Sequence, residues 1–122
     1  MLPYLMIVFV LALTVYGQLI IKARTAVHAP ILAGGANYPA YLFAMFTDVG
    51  VLSAFVAGAL AGACWMVAVQ RLDLSYAYPF VALTFVLVPA ASVLLFHESI
   101  SLPQMLGLAL IVIGVSITAL TR

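Results

Sequence analysis

Four apolar stretches of about twenty residues divide this chain, and its charged side chains fall only between them or at their edges. About twenty residues at 1.5 Å per residue cross a hydrocarbon core. The pattern predicts transmembrane helices at about residues 3–21, 49–70, 75–96 and 102–121. No segment alternates apolar and polar positions as a barrel strand would, and an open strand leaves its backbone unsatisfied in lipid. The predicted fold class is all-α integral membrane: one domain over residues 1–122, with four transmembrane helices in a bundle.

Local signals place the helix ends. Pro3 suits a first turn, Asp48 suits an N-cap, and Ser101-Leu102-Pro103-Gln104 fits a capping box with proline in the first turn. The connections at residues 71–74 and 97–101 are short, so neighbouring helices should run antiparallel. The first connection is longer. Its AGGAN stretch at residues 33–37 reads as a flexible turn. The aromatic, uncharged YPAYLFAMF at residues 38–46 predicts a short helix lying in the membrane interface. Pro79 and Pro89 each remove a backbone hydrogen bond and predict bends in the third span.

Composition narrows the classes. The chain has 122 residues, 68% hydrophobic and 6% charged, against about 25% charged in soluble domains. A net charge of +1 gives no basic surface for nucleic acid. Cys64, the single cysteine, lies in an apolar stretch and reads as an inert thiol, with no intrachain disulfide or cysteine cluster. His28 and His97 sit in different connections without a nucleophile motif. No catalytic residue, metal or cofactor is therefore expected, and an enzyme is disfavoured. The first stretch has no Lys or Arg before Lys22, is too long for a signal peptide and lacks a clean cleavage site, so a retained helix is expected. Lys22 and Arg24 on one side balance Arg71 and Arg122 on the other, which leaves orientation unassigned.

Small residues mark contact faces. Ala54, Gly58 and Gly62 recur every four residues and predict close packing inside the bundle. Gly107 and Gly114 share a face of the fourth helix, where internal packing and a dimer contact both remain open.

The polar positions inside the spans carry the functional question. Thr14, Gln18 and Lys22 fall at i, i+4 and i+8, one stripe of the first helix. In one reading Lys22 snorkels to the interface and Gln18 bonds a neighbouring helix. In the other, the stripe lines an anion-accepting groove with Lys22 and Arg24 at its mouth and Gln18 and Thr14 deeper. All three carboxylates, Asp48, Asp73 and Glu98, lie at span ends or in loops. A proton-coupled cation exporter needs one inside the membrane. Tyr76, Tyr78 and Phe80, in SYAYPF, read either as an aromatic belt or, for Tyr78, as a path-lining group. Glu98 beside His97 reads as a solvated pair or as an acid near the start of the fourth helix. Arg71, Tyr76 and Glu98 are secondary candidates.

The segment AYPFVALTFVLVPAASVLLFHESISLPQMLGLALIVIGV resembles the drug/metabolite transporter superfamily in its four-helix, small multidrug resistance-like (EamA-like) branch. The resemblance is closest to the flippase subunits for aminoarabinose-phosphoundecaprenol. Those subunits share GQ-x-x-x-K at the end of helix one (Gly17 to Lys22 here), AYP at Ala77-Tyr78-Pro79, and HE-x-x-S from His97 to Ser101. The second span and first connection match in hydrophobicity alone. The resemblance implies a four-helix protomer working as an antiparallel dimer in a bacterial inner membrane, with a role in lipopolysaccharide modification. In the drug-exporting branch an essential glutamate precedes the lysine by about two turns; Thr14 occupies that region here, so the coupling chemistry does not transfer. The Gly107/Gly114 pair resembles that branch's dimer contact.

These readings together predict a subunit of a flippase for a polyprenyl-phosphate glycolipid, with Thr14, Gln18, Lys22, Arg24 and Tyr78 binding substrate. Four short helices cannot enclose such a path, so a homodimer or a heterodimer with a similar small membrane protein is expected among membrane lipids. Two rival readings are an exporter of small cations or metabolites, using the aromatic faces, and a non-transporting accessory subunit of a membrane glycosyltransferase.

Overall fold

The computed structural model describes residues 1–35 and 37–121. Ala36, in the predicted turn, and Arg122, in the predicted charge balance, lie outside the described residues. The described elements are all helical: α1 (Leu2–His28), a 3-10 turn (Ala29–Leu32), α2 (Tyr38–Phe46), α3 (Val49–Arg71), α4 (Leu74–Val81), α5 (Thr84–Phe96) and α6 (Leu102–Leu120). Four segments are long and apolar enough to cross a membrane: Leu2–Leu32, Val49–Arg71, Leu74–Phe96 and Leu102–Leu120.

The sequence explains most of these boundaries. Asp48 is extended and its carboxylate accepts from the Gly50 and Val51 amides, capping α3. Ser101 caps α6 by accepting from the Gln104 amide at 3.3 Å. Gly35, at φ +147°, makes a turn that side chains resist. The helix that begins at Leu2 does not stop where the apolar run stops at Ile21; it continues to His28. Lys22, Ala23, Arg24 and Ala26 favour helix as well as the apolar residues do, so membrane exit and helix end are separate events.

The third span breaks at a place the prolines did not mark. Pro79 lies inside α4 and Pro89 inside α5, yet the helix interrupts at Ala82–Leu83, one turn past Pro79. There the Thr84 hydroxyl donates to the Val81 carbonyl at 2.8 Å. The Phe85 amide bonds Ala82 O instead, a tightened 3-10 step.

The core runs along α1 and α3, the broadest helix contact in the chain. Pro3, Ile7, Val10 and Gly17 are its buried residues on α1, and Val51, Ala54, Ala57, Ala61 and Ala68 on α3. A cluster of Ile7, Ala68 and Ala77, sealed by Trp65 and Phe80, joins α4 to the pair. At Gly17 a Cβ would stand 3.5 Å from the Ala54 carbonyl and 3.8 Å from its Cβ. Gly17→Ala should therefore be accommodated. Gly17→Leu should force the helices apart and lower the thermal midpoint in detergent by roughly 5–10 °C; equal melting of the two variants would contradict this packing.

Gly58 and Gly62 do not join that contact. A Cβ at either meets nothing within 4 Å, as at Gly107 and Gly114. The expectation of close packing inside the bundle is corrected here, and its cause is geometric. At about 100° per residue, each four-residue step drifts about 40° around the helix. The row Ala54–Gly58–Gly62 therefore spirals off the α1 face, while the seven-residue row Ala54–Ala61–Ala68 stays on it.

α5 and α6 are covered least. Thr84 is the buried residue described in α5 and Val115 the one in α6. Their large apolar side chains, among them Leu94, Leu95, Leu106, Leu110 and Ile117, face outward.

Candidate functional site

α1 and α5 follow the same direction, since two antiparallel turns separate them. Each turns polar side chains along one stripe: Thr14, Gln18 and Lys22 on α1, and Thr84 and Ser92 on α5 with the apolar Val88 midway between them. The stripes meet in two adjoining clefts. The outer cleft, of about 380 Å³, is lined by Gln18, Lys22, Ser92, Glu98 and Gln104 among Leu19, Val88, Pro89 and Phe96. The inner cleft, of about 360 Å³, is lined by Thr14, Gln18 and Thr84 with Phe85, Val88 and Pro89. Gln18, Val88 and Pro89 border both, so the two form one groove. Elsewhere on the same helix pair lies an apolar cleft of about 440 Å³, lined by Val8, Leu11, Ala12, Val15, Leu87 and Ala91.

Within the groove the polar groups are lightly engaged. Lys22 Nζ stands 4.0 Å from Glu98 Oε1, with the side chains 60% and 44% exposed. Contacts of that kind contribute about 0–1 kcal/mol. Gln18 makes no hydrogen bond to the described residues and keeps its full amide capacity. Ser92 and Thr84 donate their hydroxyl protons to Pro89 O and Val81 O one turn back, which leaves their oxygens free to accept. Glu98 reaches the groove because α5 ends on His97 in the left-handed region, φ +57°, turning the chain back toward α1. Gln104 enters from the first turn of α6.

Arg24 is not at the mouth of this groove. Its Nε lies 3.0 and 2.9 Å from the two Asp48 oxygens, and Nη2 lies 2.7 Å from Oδ2. His28 Nε2 approaches the same oxygen at 2.8 Å. Asp48 also accepts from the amides of Gly50 (2.8 Å) and Val51 (3.2 Å). Its side chain is only 4% exposed. Hydrogen bonding from Arg24 and then His28 holds the carboxyl well below its usual range. The cluster is a clamp between the end of α1 and the start of α3. Residues two apart on a helix point to opposite faces, and Arg24 extends the row of Pro3, Val10 and Gly17 that meets α3.

The structure does not bring the aromatic candidates to the groove either. Tyr78 is exposed and meets Trp65 edge-on at 6.0 Å between ring centroids. It stands about 15 Å along the span from Val88. Tyr76 is buried, with its hydroxyl 3.2 Å from that of Tyr4 and its ring edge-on to Tyr4 and Phe80. Arg71 ends α3 at that same far end. Glu98, a secondary candidate from sequence, lies inside the groove, and Thr84, Ser92 and Gln104 join it as residues sequence reasoning missed. The eight-residue spacing of Thr84 and Ser92, equal to that of Thr14 and Lys22 on α1, was the available signal.

The profile of the EamA-like transporter family matches residues 2–120. A probable 4-amino-4-deoxy-L-arabinose-phosphoundecaprenol flippase subunit ArnF of Pseudomonas fluorescens is 45% identical over 74 residues, covering 59% of this chain and 54% of the relative. A probable subunit ArnE of the same flippase from Pseudomonas paraeruginosa is 41% identical over 64 residues, 52% of this chain and 56% of the relative. In these two matches the chain spans about half the length of the curated relatives. A probable ArnF subunit of Sodalis glossinidius is 33% identical over 116 residues, covering 92% of this chain and 86% of the relative. No solved structure matches the chain.

Proposed function

Because the chain belongs to the EamA-like transporter family, we propose that it is one subunit of a flippase that carries a polyprenyl-phosphate-linked sugar across a bacterial inner membrane. The groove between α1 and α5 is the observation that carries this reading. Its floor presents Thr14, Gln18, Thr84 and Ser92 and its mouth presents Lys22 beside Glu98 and Gln104, while apolar residues form the remaining walls. A bare phosphate is costly to move into hydrocarbon unless it is paired. A groove along the side of a two-helix seam supplies the partner and leaves the polyprenyl tail in lipid. The inner cleft holds no carboxylate, which disfavours the cation exporter.

Outward-facing α5 and α6 support a working pair, either two copies or two similar small chains. Gly107 and Gly114 lie on α6 with open space beside them, where a second helix could approach closely. Gly107→Leu with Gly114→Leu should shift the detergent-solubilised protein from dimer to monomer while helicity by circular dichroism stays unchanged. A dimer that survives this pair of changes would move the contact elsewhere.

Native mass spectrometry of gently purified protein, with lipids retained, tests the function. A co-purifying polyprenyl-phosphate sugar on a two-chain assembly is the expected result, and its mass identifies both headgroup and partner. Bulk phospholipid alone on a monomer, across several mild detergents, would overturn the flippase reading.

A further inference from the structure

We propose that the pocket beneath α2 seats one acyl chain of a resident acidic phospholipid, whose phosphate is held by the outward edge of the Arg24 guanidinium. This lipid is a fixed part of the protein and not its cargo, so the proposal stands apart from the flippase reading.

The pocket, of about 200 Å³, lies where α1 supplies Ile21 and Thr25, α2 supplies Leu42 and Phe46, and α3 supplies Val51 and Phe55. A dry apolar cavity of about 150 Å³ already takes a benzene-sized guest, so this one accepts a run of methylenes. Its depth suits a lipid chain. Ile21 is the last residue of the first apolar run, and Val51 and Phe55 lie in the first two turns of the α3 span. Leu42, Phe46 and Phe55 are exposed, so the pocket opens outward rather than into the bundle. What surrounds a spanning protein at that depth is lipid. Phe46 stacks on Phe55 with 5.5 Å between ring centroids, which fastens the end of α2 to the α3 span.

The roof of the pocket selects the headgroup. Ile21 and Arg24, three residues apart, are neighbours on the α1 surface. The Val51 amide donates to Asp48 while its side chain lines the pocket. Clamp and pocket therefore share a boundary. Arg24 meets Asp48 through Nε and Nη2, one side of its fork, and Nη1 makes no bond among the described residues. The side chain stays 38% exposed. A free Nη1/Nη2 edge is the geometry that pairs with phosphate bidentately. No acid competes for it from outside. Asp48 is 4% exposed and turned inward, Asp73 starts α4 at the other end of the bundle, and Glu98 lies in the groove beside Lys22. Lys22 leaves α1 on the opposite face, so a phosphate on Arg24 does not occupy the groove.

The test uses the purified full chain, delipidated in mild detergent. Phosphatidylglycerol, phosphatidylcholine with the same chains, glycerol phosphate and a polyprenyl phosphate are added as separate probes. Phosphatidylglycerol should raise the thermal midpoint by roughly 5 °C at saturation and remain as one copy per chain in native mass spectrometry. Phosphatidylcholine should bind roughly tenfold more weakly, and glycerol phosphate, which has no chain, should leave the midpoint unchanged. Thr25→Phe and Leu42→Trp put aromatic bulk into the pocket from two walls and leave the clamp intact. Each should lose the bound lipid and its shift. Leu42 is exposed on α2, so Leu42→Trp decides the matter if Thr25→Phe does not fold. Equal binding of the two phospholipids, or a shift that survives either substitution in folded protein, would overturn the proposal. Displacement of phosphatidylglycerol by the polyprenyl phosphate would overturn it too, because the pocket would then belong to the tail of a transported lipid. Failure of the flippase reading moves none of these readouts.

Discussion

Lys22→Ala combined with Gln18→Ala should slow headgroup translocation by about a hundredfold, the loss expected for one charged and one neutral hydrogen-bonding partner. Both side chains are exposed on the groove, and among the described residues the ion pair of Lys22 is the one to Glu98, at 4.0 Å. The doubly substituted protein should therefore melt within a few degrees of the parent and keep its oligomeric state. Lys22→Arg should retain much of the flux, since a guanidinium pairs with phosphate at least as well as an ammonium. The measurement is dithionite or periodate accessibility of a labelled headgroup in proteoliposomes. Unchanged flux in the double variant would remove the groove from the transport path. Arg24→Ala offers the opposite pattern: reduced stability through the Asp48 clamp, with per-molecule flux of the folded fraction close to the parent.

That contrast between Lys22 and Arg24 shows where sequence reasoning stopped. Both were assigned to one groove mouth because they are near neighbours in an otherwise uncharged region. A helix separates them by about 200°, and the seven-residue row Pro3, Val10, Gly17, Arg24 already carried that information. A helix ending with the apolar run at Ile21 leaves Arg24 off that row, and only its continuation to His28 puts Arg24 on it. The glycines of α3 failed for a related reason: a four-residue row drifts off a straight contact, whereas the alanines seven apart stay on it. The four spans, the Asp48 and Ser101 caps and the α1 half of the groove were legible because each depends on local pattern. The α5 half was not, because Thr84 and Ser92 look like ordinary hydroxyls in an apolar helix until α1 is laid beside them. Tyr78 looked like a path residue by its neighbourhood with Pro79, yet the alternation of spans that sets Arg71 opposite Lys22 already sets Tyr78, seven residues further on, at that far end.

The clamp at Asp48 should carry the largest structural effect in the molecule. Asp48→Ala removes an N-cap and strands the Arg24 guanidinium, and the His28 imidazole beside it, against the start of α3. Breaking one partner of a buried pair is more damaging than replacing the pair. The thermal midpoint in detergent should fall on the order of 10 °C. Asp48→Asn should fall less, since asparagine caps as well as aspartate but leaves Arg24 without a counter-charge. The pH dependence follows from the direction of the shift. The carboxyl is held below its ordinary 3.8 in the folded chain, so its stabilising contribution is complete above that value. It declines as the pH drops below 3.8 and is lost once the folded group itself takes up a proton. Melting followed from pH 6 down to pH 2 should show an acid decline in the parent that is smaller in Asp48→Asn. Gly50 supplies an independent check on the same clamp. A Cβ there would stand 3.0 Å from Arg24 Cγ and 3.0 Å from Asp48 Oδ1, so Gly50→Ala makes the Arg24 side chain and the Asp48 carboxylate give by a few tenths of an ångström and loosens their pairing without removing either charge. It should reproduce part of the Asp48 loss and flatten the same acid decline. Parent-like melting in both Asp48→Ala and Gly50→Ala would mean that α1 and α3 are held by their small-residue contact alone.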